Sequence, residues 1–198
     1  MSITINGTGT ITGITAGGLP NGCIQKADLA SDINTTTHYD CWRLYQSSVD
    51  EDEDPLGSVT AIERAIDANS AHSGFGTFGA PMTQSGGIFT FPEPGYWKIE
   101  FAAQFLNGNP SYNDDIRILA TTDGGTTWES VARSQGSLSD DGDNNVYSVN
   151  FCSVLVDVTD VGDVKVKFAV FAQDGAVTIA GNADYNRTYM TFTRIGNT

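Results

Sequence analysis

Cations are scarce in this sequence. Ten Lys and Arg stand against 24 Asp and Glu among 198 residues, a formal net charge of -14. Nucleic-acid binding and attraction to an anionic membrane surface both rest on clustered Lys and Arg, so the composition speaks against both partner classes. Histidine is nearly missing. His38 and His72 stand in no HExxH, HxxE or Ser/His/Asp setting, which leaves a His-dependent nucleophilic or metal mechanism almost no material. Cys23, Cys41 and Cys152 are odd in number and lack CxxC spacing, so they suit neither a disulfide framework nor a zinc site, and they suggest synthesis in a reducing cytoplasm. No apolar run approaches the ~20 residues of a spanning helix, and the N-terminus shows neither the basic nor the apolar region of a secretion signal. GTGTITG lacks the Lys-Ser/Thr ending of a phosphate loop. No repeat of roughly 20–50 residues suggests a propeller or solenoid. Glu93, Glu100 and Glu129 could each face one of many Asp residues, so inventory leaves an acidic hydrolase dyad open. Nothing else points to one, and the expectation is a protein that is not an enzyme.

What is present is strand material. With 39% hydrophobic residues and 22 Gly, the length fits one β-rich domain with an appendage. The chain is organised around Gly86 to Leu106, GGIFTFPEPGYWKIEFAAQFL. Trp97, Ile99, Phe101, Ala103 and Phe105 alternate with Tyr96, Lys98, Glu100, Ala102 and Gln104, the period of a half-buried strand with an aromatic inner face. Pro92 and Pro94 cannot donate to a ladder and mark a corner, where Gly95 can take a positive φ as the chain turns back. Further strands are expected at Tyr39–Tyr45, Ile116–Thr121, Thr127–Val131, Val146–Val158, Val164–Ala172, Val177–Ala180 and Thr188–Ile195. Short strands with Gly/Asp/Asn turns predict an all-β fold, an antiparallel β-sandwich of the jelly-roll kind.

Residues 1–37 read differently. Ser2 to Thr15 alternates Ile or Gly with Thr, Ser or Asn, an extended segment with a narrow apolar edge and too few large residues for its own core. Ile3, Ile5, Ile11 and Ile14 are the expected partner-binding residues of this arm, by strand addition, and residues 38–198 form the domain. A loose N-terminal arm is the plainer reading. Asp50 to Asp54 is a run of five carboxylates, expected in a solvated loop. Thr60 to Asn69 has capping-box spacing at Thr60 and Glu63 and predicts one short helix, with Val59, Ile62 and Ile66 on one face.

Two further stretches invite chemistry. Thr121 to Trp128, TTDGGTTW, resembles the Asp-box of sialidase-type propellers but occurs once, and it predicts a hairpin in which Asp123 caps the turn and Trp128 folds onto the core. Ser139 to Asn145 places Asp141, Asp143 and Asn145 at alternate positions. That is the start of a calcium loop, but Val146 and Cys152 stand where the Gly and the bidentate Glu belong. An exposed acidic loop is the expectation, with calcium at Asp141, Asp143 and Asn145 as the sharper alternative and no other cofactor.

From Thr37 onward the chain is similar to the jelly roll shared by tumour necrosis factor (TNF) and the complement globular head. GIFTFPEPGYWKIEFAAQF resembles that family's central block, SVLVDVTDVGDVKVKFA its later strand–turn–strand, and TYMTFTRIG its terminal strand. The resemblance implies a non-catalytic domain that assembles as a homotrimer, with Tyr189 or Phe192 at a subunit contact. The acidic run and the helix at 50–69 depart from the family, as does the lack of a collagen-like stalk. The leader SITINGTGTITGITAGGLPNG followed by ADLAS resembles that of structural proteins of marine tailed phages, cyanophages among them. Together these imply a virion protein of fibre or capsid-decoration type. It would be made in the host cytoplasm, tied by its arm to other capsid or tail proteins, and would display its head for adsorption or surface protection. The second reading is a carbohydrate-binding module that stacks Tyr112, Trp128 or Tyr185 on a host surface glycan.

Overall fold

A computed structural model describes residues 36–47, 52–57, 62–65, 76–107, 111–139, 146–173 and 177–198, with the side chains of residues 107, 111 and 112 left aside. The arm residues Ile3, Ile5, Ile11 and Ile14 lie outside the described residues, as do His72, Asp141, Asp143 and Asn145. So does the side chain of Tyr112.

Strands account for almost all regular structure among the described residues. They are β1 (His38–Leu44), β2 (Asp52–Glu53), β3 (Ile62–Arg64), β4 (Thr83–Ser85), β5 (Ile88–Thr90) and β6 (Gly95–Asn107). There follow β7 (Ser111–Thr121), β8 (Glu129–Leu138), β9 (Val146–Val158), β10 (Lys165–Ala172), β11 (Thr178–Ile179) and β12 (Tyr189–Gly196). The first sheet runs β11-β6-β12-β1-β3, with β9 along the other side of β6. The second runs β4-β5-β10-β7-β8, with β2 also beside β10. All pairings are antiparallel, and the chain crosses repeatedly between the sheets, as a jelly-roll sandwich requires.

The alternation on β6 sets the core. Trp97, Ile99, Phe101, Ala103 and Phe105 are all fully buried. They meet Met190 and Phe192 from β12, Val166, Phe168 and Val170 from β10, and Ile116 and Ile118 from β7. Phe89, Phe168 and Phe192 form an aromatic triangle, with ring centroids 5.4 Å, 5.0 Å and 5.8 Å apart, and Phe101 adds a ring 5.0 Å from Phe168. Buried rings in tilted and edge contact contribute more than their area alone.

The Pro-Glu-Pro-Gly corner is not a hairpin. β5 belongs to the second sheet and β6 to the first, so the corner carries the chain across the sandwich. Gly95 sits at φ +144°, and a Cβ there would lie 2.5 Å from Arg194 Nε, so only glycine fits. Arg194 is buried and closes this end. It donates to Pro94 O, Thr37 Oγ1 and Asn197 Oδ1 and pairs with Glu93 at 3.0 Å.

Two local expectations are corrected. Ile62–Arg64, expected within a helix, is a strand paired with Trp42–Leu44. A ten-residue helix is marginal alone, whereas an edge position beside β1 satisfies the backbone and gives Glu63 the Arg43 guanidinium at 2.9 Å. Arg64 also reaches the buried Asp40, which takes Trp42 Nε1 and the Met82 backbone N–H as well. The acidic run is likewise not all solvated loop. Asp52 and Glu53 form β2 against Phe171 and Val170, and Asp54 meets Lys167 at 2.7 Å. Lys167 offsets part of the like-charge repulsion among residues 52–54.

Candidate interaction surface

The outward side chains of the first sheet form the most unusual surface among the described residues. β9 alternates along its length. Asn150, Cys152 and Val158 point inward, while Tyr147, Val149, Phe151 and Leu155 are 50–60% exposed. Tyr39 on β1, Tyr96 on β6 and Ile195 on β12 add exposed apolar surface to the same sheet. Scattered apolar residues on a protein surface are ordinary; a contiguous set marks a place that something covers.

Register orders this face in rows. Tyr189, Ala102 and Phe151 lie opposite one another on β12, β6 and β9, so a small side chain sits between two aromatic ones. Gln104 and Val149 make the next row. Tyr185, Asn186 and Arg187, from the segment before β12, wall the resulting groove. Arg187 donates to the Tyr185 hydroxyl at 2.8 Å and lies over its ring.

Two ion pairs on this face close within the chain. Arg43 meets Glu63, and Lys98 Nζ donates to Glu100 Oε1 at 2.6 Å. Thr191 Oγ1 donates to Glu100 Oε2 at 3.0 Å. The Lys98 bond, with help from Thr191 and against burial, holds the Glu100 carboxyl below its ordinary range. Burial first, then the neighbouring Cys41, pushes the Tyr39 phenol up to about 12. Burial also raises both described thiols, Cys152 to about 11, so neither is a thiolate near neutral pH. The face offers apolar contact rather than acid–base chemistry.

The two candidate contact residues on β12 separate. Tyr189 faces outward in the groove, but Phe192 has 0% exposure and its ring packs on Phe89 and Phe168. Phe192 is a core residue, because the alternation along β12 sends it to the opposite face from Tyr189 and Thr191. The residues that carry the face on β9 were missed as site residues, although the alternation of Val146–Val158 placed Tyr147, Val149, Phe151 and Leu155 on one side.

The Thr121–Trp128 segment is a hairpin connection between β7 and β8. Asp123 accepts bonds from the backbone N–H of Thr126 and Thr127 and from the hydroxyls of Thr121 and Thr127, which hold its carboxyl well below the usual range. Trp128 does not reach the core. It is half-buried on the surface, donating to Gly125 O at 3.1 Å with Lys167 Nζ 4.9 Å from its ring. Of the possible sugar-stacking rings, Tyr185 is exposed and Trp128 is partly covered by Lys167. His38 is buried against Trp97 and 3.4 Å from Glu93.

No protein-family model matches this sequence, and no curated protein matches it. Solved structures do match in fold. The chain is similar to murine APRIL crystallised at pH 5.0, with 11% identity, a TM-score of 0.53 and coverage of 79% of this chain and 98% of that one. It is also similar to Eiger, a TNF from S. frugiperda, with 9% identity, a TM-score of 0.55 and coverage of 81% and 93%. At this identity the likeness is one of architecture, and the domain is an all-β jelly-roll sandwich of the TNF-like kind.

Proposed function

We propose that this chain is a non-enzymatic structural protein of a phage virion, of fibre or capsid-decoration type. Its jelly roll stands as a homotrimer closed by the outward face of the first sheet. The observation that carries the reading is that contiguous face, with Tyr147, Val149, Phe151 and Leu155 exposed along one strand. A second copy is the occupant that fits. Each copy carries a net charge of -14, so copies repel unless they meet where charge is balanced. Two ion pairs on this face, Arg43–Glu63 and Lys98–Glu100, are closed within the chain, which lessens that repulsion there. Domains of the TNF and complement-head kind, which the sequence resembles, assemble as trimers, and that supports three copies rather than two. Residues 1–37 serve as the anchor to capsid or tail proteins, supported by the period-2 pattern around Ile3, Ile5, Ile11 and Ile14 and by the leader's resemblance to marine tailed-phage proteins. Three arms on one trimer multiply a weak individual attachment.

Light scattering tests the assembly: three chains per particle are expected for the wild type and one for Phe151→Glu. A wild-type monomer would remove the reading. Deletion of residues 2–37 should leave a soluble trimer that no longer joins the virion, and incorporation of the truncated protein would defeat the anchor.

A carbohydrate-binding module is the second reading, favoured by the groove in which Tyr147, Tyr185 and Tyr189 stand beside Gln104, Asn186 and Arg187. Aromatic faces next to amide and guanidinium donors suit a sugar ring and its hydroxyls. Glycan-array binding by a monomeric wild type, lost in Tyr185→Ala, would put this reading first.

A further inference from the structure

The groove beside β9 holds a cation that the chain leaves unpaired. Arg43, Arg64, Arg117, Arg133 and Arg194 each meet a carboxylate. Arg187 is the one arginine with no ion pair among the described residues, and its guanidinium donates only to the Tyr185 hydroxyl, a neutral acceptor. Asp184 stands three residues earlier, exposed, and forms no ion pair with it. No carboxylate of the described residues lines the groove, whose volume of about 500 Å³ is that of a small-ligand site. Tyr147 and Tyr185 are half exposed there, and the side-chain amide of Gln104 makes no bond among the described residues.

We propose that this groove takes a saccharide bearing a carboxylate, with Arg187 holding the acid and the tyrosine rings holding the sugar. The proposal rests on the carbohydrate reading above and names the class of sugar. A net charge of -14 repels anions at a distance, so an acid is held only where a cation is locally in excess. Arg187 supplies that excess. A guanidinium fork meets a carboxylate with two parallel N–H bonds, and the apolar walls at Val149 and Phe151 strengthen the attraction by keeping water away. The bond to the Tyr185 hydroxyl and the contact with its ring fix the guanidinium in the groove that Tyr147 also lines. A pyranose laid on the Tyr147 ring carries its carboxylate outward from its own edge, into reach of a cation on the groove wall. The Gln104 amide then serves the ring hydroxyls.

Titration calorimetry on the full-length wild type at neutral pH tests this with two matched pairs of probes. They are trigalacturonate with its neutral parent galactotriose, and sialyllactose with lactose; sodium acetate supplies a carboxylate without a sugar. The expected result is that an acidic sugar binds about tenfold or more tighter than its neutral parent, with acetate far weaker than either acid. That preference should shrink as salt is added. Arg187→Gln removes the charge and keeps a polar side chain, and it should bring the acidic sugar down to the affinity of its parent. Near-ultraviolet circular dichroism checks that the variant folds; should it not, the wild-type comparison decides. Neutral parents that bind as well as the acids overturn the proposal and leave the carbohydrate reading standing. Acetate that binds as tightly as the acidic sugars overturns the sugar, and a preference that survives Arg187→Gln overturns the site. No binding by any probe overturns the proposal and the carbohydrate reading together.

Discussion

The sandwich has two outward faces, built by the same alternation, and they end differently. On the second sheet the outward positions hold charges that finish one another. Asp115 is buried between Arg117 and Arg133, with Arg133 Nε 2.9 Å from its carboxylate, and Arg117 lies 4.3 Å over the Phe171 ring. Lys167 meets Asp54 and covers Trp128, and Lys165 donates to Gly124 O. Apolar stems and rings there lie beneath charged heads that stay in water. On the first sheet the outward rings and aliphatic chains of β9 are 50–60% exposed, with no such cover among the described residues. The second face covers its apolar groups with its own charged heads, and the first leaves them exposed among the described residues.

The sharpest way to break that comparison is one charge on each face. Phe151→Glu and Val131→Glu both put a carboxylate at an exposed apolar position, one on β9 and one on β8. Phe151→Glu should convert the proposed three-chain particle to single chains at micromolar protein, while Val131→Glu leaves the mass unchanged. Equal loss of assembly from both, measured by light scattering, would mean that the faces are not different in kind.

The next effect concerns stability. Asp115→Ala removes a carboxylate on which two guanidiniums converge and leaves both without it. Arg117 and Arg133 keep some water, so the cost is about 2–3 kcal/mol rather than the full penalty of a sealed ion pair. Urea unfolding at fixed protein concentration measures it, and the number of chains per particle should not change. Assembly that fails along with stability would make the second face part of the contact.

Much of the fold beneath this contrast was legible in the sequence, though the contrast itself was not. The inner face of β6 could be read from Trp97 to Phe105 because period-2 alternation is a local signal, and the span Val146–Val158 agrees with β9 at both ends. The Asp123 hairpin could be read for the same reason, since its bonds stay within a few residues. What could not be read depends on contacts far along the chain. Ile62–Arg64 carries helix-start spacing, but β1 lies beside it and the strand wins. The acidic run becomes part of a sheet because Lys167 and the free edge of β10 are there to receive it. Phe192 and Tyr189 are three residues apart, hence on opposite faces of a strand, and the family resemblance alone did not separate them.

The hairpin at one end of the second sheet gives a smaller and pH-dependent effect. Asp123 is held below its ordinary value by bonds to its charged form, from Thr121 first and then from Thr127. A depressed folded value means that the contribution is complete above the unfolded value of about 3.9 and is lost as pH falls through the folded one. Asp123→Asn should therefore lower the unfolding midpoint at pH 7, and the gap from wild type should narrow as the solution is made strongly acidic. A gap that stays constant with pH would mean that the carboxylate's charge contributes nothing to the turn.

The smallest effect tests how the second face covers its own rings. Lys167→Met keeps a flexible chain against Trp128 while removing the charge that meets Asp54 and the ring. Both interactions are partly in water, where a cation over an aromatic ring is worth about 0.5–1 kcal/mol and an ion pair near a surface little more. The expected loss is about 1 kcal/mol, with no change in assembly. A cycle with Trp128→Leu separates the two sources. If the ring contact matters, Trp128→Leu costs less in the Lys167→Met background than in the wild type; if only Asp54 matters, the two costs are equal. The equal case would make Trp128 an uncovered ring in energetic terms, and the second face would then resemble the first more closely than its charges suggest.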